Sequence, residues 1–515
     1  MSTNTPTLVT LPPELMRHIT SLLPKASLMN LRCVNKKLCS FVTPEAFRTA
    51  RLWAYGKNPE RFIQLAKSNF SDLVQEITCD ARLGVDDPFS NRRMKQLPLL
   101  FWDALHFLGC FRNLKALHFQ STPDRSWTEE EDWDMAKQRN RAMKTILLAL
   151  QGTLSRASKG ELERVWMHPK ASMTRKVHIH RWPTHMPNSP ITLSTFSASE
   201  VEVITDPSLP EAPPPRWEAL AGVTDLRLCM ASNLSGYDRA RGEGAAYLKR
   251  LPLTWLSPSI TAHLRVLSLY SPRLWAGGED QTSFRLLGDA TSMPNLKVLS
   301  LGRFIFSDMK EIDWILQFDL EKLYFDACFL LIKYLVQPEL GETGRVRSED
   351  VKFHPMRWHT IFSRIRKSMP ASLRIFKIGT GISWMGAPKK TVKAALLDDP
   401  DLRKDELTLR QPFKHNAFRY FDCPSETYDK NFVADANDDS KLDMFRYGTG
   451  LLMGHPNCQC RYEFEFQVDM SLIDKDDVMG GKDSGPLSKD VRKKDRATYR
   501  RLAQVLEERR AKMAS

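Results

Sequence analysis

Between Leu11 and Ala54 the apolar positions recur at steps of three and four, the spacing of short amphipathic helices. Leu15, Ile19, Leu22 and Leu23 fall on one face of a first helix, opened by Pro12, Pro13 and Glu14 and closed by Pro24. Ser27 predicts the cap of a second helix carrying Leu28, Leu31, Val34, Leu38, Phe41 and Val42. Thr43-Pro44 predicts a third start, with Phe47, Ala50 and Ala54 inward. Three helices this short cannot bury a self-sufficient core. Part of their apolar surface must therefore face the rest of the chain or another protein. A connecting helix is predicted over 57–69, with Phe62, Ile63, Leu65 and Ala66 as its apolar face.

From about residue 71 the period changes. The pattern L-x-x-L-x-L, or an apolar variant, recurs with Leu114, Leu117 and Phe119, then Leu162, Val165 and Met167, then Val223, Leu226 and Leu228. It continues with Leu264, Leu267 and Leu269, with Leu296, Leu299 and Leu301, with Leu320, Leu323 and Phe325, and with Leu373, Phe376 and Ile378. Weaker copies fall at Val74, Ile77 and Cys79 and at Ala198, Val201 and Val203. Each copy predicts a short strand whose alternate residues point inward, sealed by an apolar residue ahead of it. One such unit cannot cover its own apolar face, so units must stack. The series resembles leucine-rich repeats, and Cys328 completes the longer consensus after Phe325, whereas Pro272 and Phe304 occupy the equivalent position after Leu269 and Leu301. Leu264 to Leu296 is 32 residues and Leu296 to Leu320 is 24, but Leu320 to Leu373 is 53 and Leu114 to Leu162 is 48. Those long gaps hold either an undetected repeat or an insertion. A different α/β sheet domain is the alternative to the solenoid.

Stretches 122–134, 182–190, 206–215, 341–350 and 387–406 read as surface loops, the first carrying Trp127 and Trp133. An aromatic-rich block over 410–468 includes an alternating run at Tyr462, Phe464, Phe466 and Val468, and is expected to close the open end of the solenoid. Stretch 469–485 is acidic and contains glycine, as a linker would. A helix over 491–513 then places Tyr499, Leu502, Val505 and Leu506 on one side. The linker ahead of it predicts an appended tail that the core does not need.

Composition narrows the function classes. The 515 residues suffice for two or more domains, and 42% hydrophobic content supplies a sizeable core. No apolar run is long enough to span a bilayer, and the first ten residues lack the basic start and apolar centre of a secretion signal. Nine scattered cysteines point to reduced thiols, hence a cytoplasmic and/or nuclear protein. The net charge is +14, and ten Lys or Arg against four Asp or Glu between 489 and 512 place +6 of it in the tail. The remaining +8 is a thin electrostatic footprint for nucleic acid on a chain this long.

The string Leu11-Pro12-x-Glu14-Leu15, Ile19, Leu22-Leu23-Pro24, Leu28, Leu31-Arg32, Val34-Asn35-Lys36 resembles an F-box, the module that docks on the Skp adaptor of cullin ubiquitin ligases. It departs from the family at Leu38, where many members have tryptophan. An ordinary helical cap on a larger domain is the plain alternative. The resemblance implies adaptor contact through Leu11, Pro12, Glu14, Leu15, Ile19, Leu23, Leu28, Leu31 and Val34. The expected fold is α/β: a three-helix F-box over 8–55, a connecting helix over 56–70, an irregular leucine-rich-repeat-like solenoid over 71–409, the closing segment over 410–468 and the linker with its basic helical tail over 469–515.

Candidate chemistry adds little. His455, Cys458, Cys460 and Cys423 offer zinc-ligand types without paired C-x₂₋₄-C spacing, and aromatic packing accounts for them as well. His178, His180 and His185 lack a carboxylate or cysteine in register. No nucleophile elbow, phosphate loop or dinucleotide fingerprint is present. The expectation is a non-catalytic receptor subunit without cofactor or metal. Its partners would be the Skp adaptor, the cullin and an unidentified target protein, with no membrane and no nucleic acid. A cullin-independent repeat scaffold and a nucleic-acid-associated protein using the basic tail are the alternatives.

Overall fold

A computed structural model of the chain describes residues 11–23, 25–54, 56–81, 97–121, 129–152, 190–201, 217–230, 251, 254–275, 287–306, 308–326, 328–335, 351–353, 356–379, 462–464 and 489–514. The chain divides into two compact units: Met1–Thr122, Glu130–Ser197 and Ser208–Val223 form the first, and Pro123–Glu129, Ala198–Pro207 and Thr224–Ser515 the second.

The first unit opens with helices α1 (Pro13–Leu22), α2 (Lys25–Arg32) and α3 (Lys36–Phe47). The helix breaks differ from those predicted. The run from Leu28 to Val42 is interrupted after Arg32, where the Asn35 side chain accepts the Leu38 N–H at 2.8 Å and caps α3. Pro44 then lies inside α3, in its last turn, and starts no new helix. Ala50 and Ala54, expected on a helix face, belong instead to β1 (Thr49–Trp53) and the residue beyond it.

β1 runs parallel to β2 (Glu76–Ala81), and β2 parallel to β3 (Ala116–Ser121). Between them α4 (Asn58–Ala66) buries Phe62, Ile63 and Ala66, and α5 (Leu99–His106) buries Phe101 and Leu105. Ala50, Ile77 and Leu117 stand side by side, as do Leu52, Cys79 and Phe119, and all six are buried. Phe47, Ala50 and Leu52 thus repeat the strand pattern seen at Val74, Ile77 and Cys79, so the first rung is shared with the last residue of α3.

β3 is followed by α6 (Glu129–Leu150), which begins inside the stretch read as a loop over 122–134. The next strand is β4 (Thr195–Val201), whose start is tied to β3 through the Lys115 carbonyl. Its buried residues are Leu193, Phe196 and Ala198, so the copy read at Ala198, Val201 and Val203 was out of frame by five residues. The copy at Leu162, Val165 and Met167 lies outside the described residues, as do the stretches 206–215, 341–350 and 387–406 and all of 182–190 but its last residue.

In the second unit β5 (Asp225–Met230), β6 (Val266–Trp275), β7 (Val298–Phe306), β8 (Lys322–Asp326) and β11 (Ile375–Gly379) follow one another in a parallel sheet. Leu226, Leu267, Leu299, Leu323 and Phe376 form one row, and Leu228, Leu269, Leu301, Phe325 and Ile378 the next. β8 pairs directly with β11, so the 53-residue gap is an insertion and not a missing rung. The insertion includes β9 (Phe329–Leu335), which pairs with β7, β10 (Val351–Phe353) and β12 (Tyr462–Phe464), and the helix α8 (Trp358–Ser368). α7 (Met309–Ile315) precedes β8 and opens with a capping box between Asp308 and Glu311.

Seven of the described strands are keyed to the one before by a single carbonyl that accepts two successive N–H groups. Arg48 O receives Gln75 and Glu76, Gln75 O receives Lys115 and Ala116, and Lys115 O receives Ser194 and Thr195. In the second unit Thr224, Arg265, Lys297 and Glu321 do the same for β6, β7, β8 and β11. The accepting residue always follows the first apolar position of the motif directly, which is why that position fixes the register. Two asparagines add a second tie: Asn113 Nδ2 donates to Asp72 O and Asn295 Nδ2 to Ala262 O, at 2.7 and 2.9 Å. Cys328, between β8 and β9, donates its thiol to Leu301 O of β7 at 3.2 Å.

The second unit ends with α9 (Lys489–Ala514), which packs on α8 and reaches β11. Tyr499 sits 5.3 Å from Phe362 and 6.3 Å from Phe376, joining an aromatic cluster that runs through Trp358, Phe325 and Phe306. Leu502 and Leu506 are buried beside it. The tail expected to be dispensable is therefore part of this unit's core. Of that aromatic block only 462–464 is described.

Candidate adaptor-docking face

The N-terminal helices are built so that two apolar stripes point in opposite directions. α1 starts at the Pro12-Pro13 pair, with the Met16 N–H bonded to Pro12 O at 3.0 Å and Glu14 in the first turn at the positive end of the dipole. Its inner stripe is Met16 and Thr20, both buried, with Leu23 half-buried behind them. Its outer stripe is Leu15, 51% exposed, and Leu22, 71% exposed, with Ile19 half-buried between them. The hydroxyl of Thr20 donates to Arg17 O, which lets a polar residue occupy the inner stripe at little cost.

α2 and α3 hold the core of this segment. Leu28 is 3% exposed and packs with Val42 and Ala46, and Leu23, Leu31 and Phe47 lie against them. Leu28, assigned to adaptor contact by resemblance, is thus committed to the domain's own interior. Leu38 is buried as well, so leucine at the position where relatives of the motif often have tryptophan contributes to the core here. Around this core Met29 is 40% and Val34 65% exposed. Leu11 and Leu31 are half-buried, and Pro12 and Glu14 are exposed.

Six large apolar side chains are exposed among the described residues, and Leu15, Leu22, Met29 and Val34 are four of them. Their concentration in twenty residues is what a docking face needs and what a cap on a larger domain would have buried. Leu22 and Met29 were missed as contact candidates: helical period sets Leu22 on the face of Leu15 and Ile19, but the resemblance assigned contact to Leu23, and Met29 falls on no apolar stripe.

Polar contacts fix these helices to the sheet of the same unit. Lys25 Nζ donates to Thr49 O at 2.6 Å, covering an edge carbonyl of β1, and burial lowers the pKa of its ammonium. Arg32 donates from Nε to the Thr43 hydroxyl at 3.0 Å and lies 4.6 Å over the Phe47 ring, which stacks on Phe70 at 4.4 Å. The docking face is thereby held by a rigid base. Its charged surroundings are mostly basic: between 11 and 48 Glu14 and Glu45 stand against Arg17, Lys25, Arg32, Lys36, Lys37 and Arg48.

No group of metal-ligating side chains accompanies this face among the described residues. No three His, Cys, Asp or Glu side chains cluster there as ligands would, and Cys33, Cys39, Cys79, Cys110 and Cys328 are free thiols. Burial pushes the Cys79 thiol far up, leaving it inert. The zinc candidates at Cys423, His455, Cys458 and Cys460 and the histidines at 178, 180 and 185 lie outside the described residues. No described helix is long and apolar enough to cross a membrane.

The three helices form a module with an outward apolar stripe, set on a parallel sheet. The F-box domain model matches residues 8–48, so the chain carries an F-box domain at these helices. No curated protein matches it in sequence.

Proposed function

We propose that this protein is the substrate-recognition subunit of a Skp–cullin–F-box ubiquitin ligase, with no catalytic centre of its own. The exposure of Leu15, Leu22, Met29 and Val34 within the matched F-box carries the adaptor half of this reading. Docking buries those side chains, each contributing about 1.5–3 kcal/mol if fully covered. A receptor acts by proximity: holding a target near the conjugating enzyme raises the effective concentration of its lysines without chemistry in the receptor.

The target half rests on the remainder of the chain, read as an irregular leucine-rich-repeat-like solenoid. In favour of that reading stand the in-register rows of leucine, the carbonyl that brackets each strand to the last, and the Asn113 and Asn295 ties. The insertion between β8 and β11 and the partnership of α8 with α9 make it an irregular member of such a class. Copurification of the Skp adaptor and the cullin with the full-length chain tests the ligase assignment. Proteins trapped on the chain while the ligase is inhibited test the receptor assignment. A chain that binds adaptor but never cullin would be a scaffold of another complex.

A further inference from the structure

We propose that the outward face of α9 is a docking site for an acidic peptide segment of a partner protein. Ala497 is exposed at the centre of this face, and Lys493, Lys494, Arg500 and Arg501 stand at its i−4, i−3, i+3 and i+4 positions. Residues at those offsets are surface neighbours on a helix, roughly 5–6 Å apart at Cβ. All four cations are exposed, and none makes a hydrogen bond or ion pair through its side chain among the described residues. The small alanine leaves a cradle with positive charge on both sides.

Two features distinguish this cluster from an ordinary solvated face. The helix that carries it is clamped: Tyr499, Leu502 and Leu506 are buried and Asp495 is fully enclosed, so the four cations are presented by a fixed backbone. The cluster also gathers four like charges within about 12 Å of helix, where they repel one another. Pairing with carboxylates from outside would relieve that repulsion.

The extent of the patch selects the partner. From Lys493 to Arg501 it covers about 12 Å along the helix at 1.5 Å per residue. Exposed Asp490 bounds it on one side, and exposed Glu507 and Glu508 on the other. A nucleic-acid duplex carries phosphates far beyond that length and would meet those carboxylates. The tyrosine of this helix faces inward, which leaves no aromatic platform for bases. Two or three turns of an acidic peptide match the patch in length and charge. This inference concerns a surface outside the F-box and does not depend on adaptor docking.

The test is fluorescence anisotropy of full-length protein with a labelled twelve-residue peptide carrying Glu at every third or fourth position. Its Gln counterpart, a DNA duplex and a single-stranded RNA serve as further probes. The expected result is binding of the Glu peptide that weakens roughly tenfold or more in the fourfold variant K493E/K494E/R500E/R501E, as when several attractive charges become repulsive. A control variant, K57E/R61E/K144E/R265E, makes the same change in net charge elsewhere and is expected to retain binding. The four positions are exposed, so the melt of the test variant should hold; should it fall, the single substitution Ala497→Glu, which puts the carboxylate in the cradle itself, replaces it. No binding, equal loss in the control, equal binding of the Gln peptide, or tighter binding of either nucleic acid would each overturn the proposal.

Discussion

Asp495 of α9 is fully buried and accepts hydrogen bonds from both the backbone N–H and the Nδ1–H of His359, at 2.8 and 2.6 Å. His359 is the second residue of α8, whose N-cap residue, Arg357, has no side chain suited to capping. A helix 136 residues further along the chain thus supplies the carboxylate that the start of α8 lacks. Charge also favours the arrangement, since the carboxylate faces the positive end of the α8 dipole.

Replacing Asp495 by Ala should therefore destabilise the second unit. The half-buried His359 N–H loses its partner, a penalty of up to about 1–3 kcal/mol. The expected signature is a lower melting temperature together with faster hydrogen exchange at the start of α8 and along α9. Unchanged exchange at both helices would mean that the carboxylate carries no structural role.

Ending the chain at residue 485 should do more damage than that single substitution. The truncation uncovers Phe362 and Phe376 and removes buried Tyr499, Leu502 and Leu506, along with the bond from Arg509 to Pro370 O. Each lost apolar side chain is worth about 1.5–3 kcal/mol of burial. The truncated protein should melt earlier and bind a hydrophobic dye, while adaptor capture by the first unit survives. A melt identical to that of the full chain would show that α9 is merely appended.

The two stripes of the F-box should respond oppositely to truncation of leucine. Leu15→Ala with Leu22→Ala removes exposed anchors, and loss of a buried interface anchor can cost about 2 kcal/mol or more, roughly thirtyfold in affinity. Adaptor pull-down should fall while the melt is unchanged. Leu28→Ala empties a core site and should cost about 2–5 kcal/mol of stability. Normal adaptor capture by the Leu15/Leu22 variant would remove the docking face from this stripe.

A pH effect follows from the first unit's sheet. The His118 side chain, hydrogen-bonded to Glu76 and 2.7 Å from the Ser197 hydroxyl, holds the Glu76 carboxyl below its ordinary value of 4.5. A carboxyl depressed on folding adds stability that is present above that ordinary value and lost as pH falls through the lowered one. Glu76→Gln should therefore flatten the acid side of the stability profile and leave its slope near neutrality unchanged. An identical acid limb in variant and parent would dissociate this pair from acid unfolding.

Much of this architecture is local in origin, and the sequence determined it. Strands at Val74, Leu114, Val223, Leu264, Leu296, Leu320 and Leu373 follow from a period of two next to a sealing residue, a rule that acts within six positions. Helix in the F-box follows from a period near 3.6, though not the break after Arg32 or the passage of α3 through Pro44, and the apolar face of α9 was readable in the same way. What only the tertiary structure decided is which face meets what. Leu15 and Met16 are both apolar neighbours on α1, and packing against α3 accompanies the turning of one to solvent and the other inside. Thr49–Trp53 is strand because Ile77 and Cys79 stand beside Ala50 and Leu52, not because its residues demand it. The β4 frame at Leu193, the direct pairing of β8 with β11 and the bond from Asp495 to His359 join residues tens to more than a hundred positions apart. Periodicity records the surface a segment must bury, but carries no label for the partner that buries it, because apolar contact is non-directional and any complementary face satisfies it.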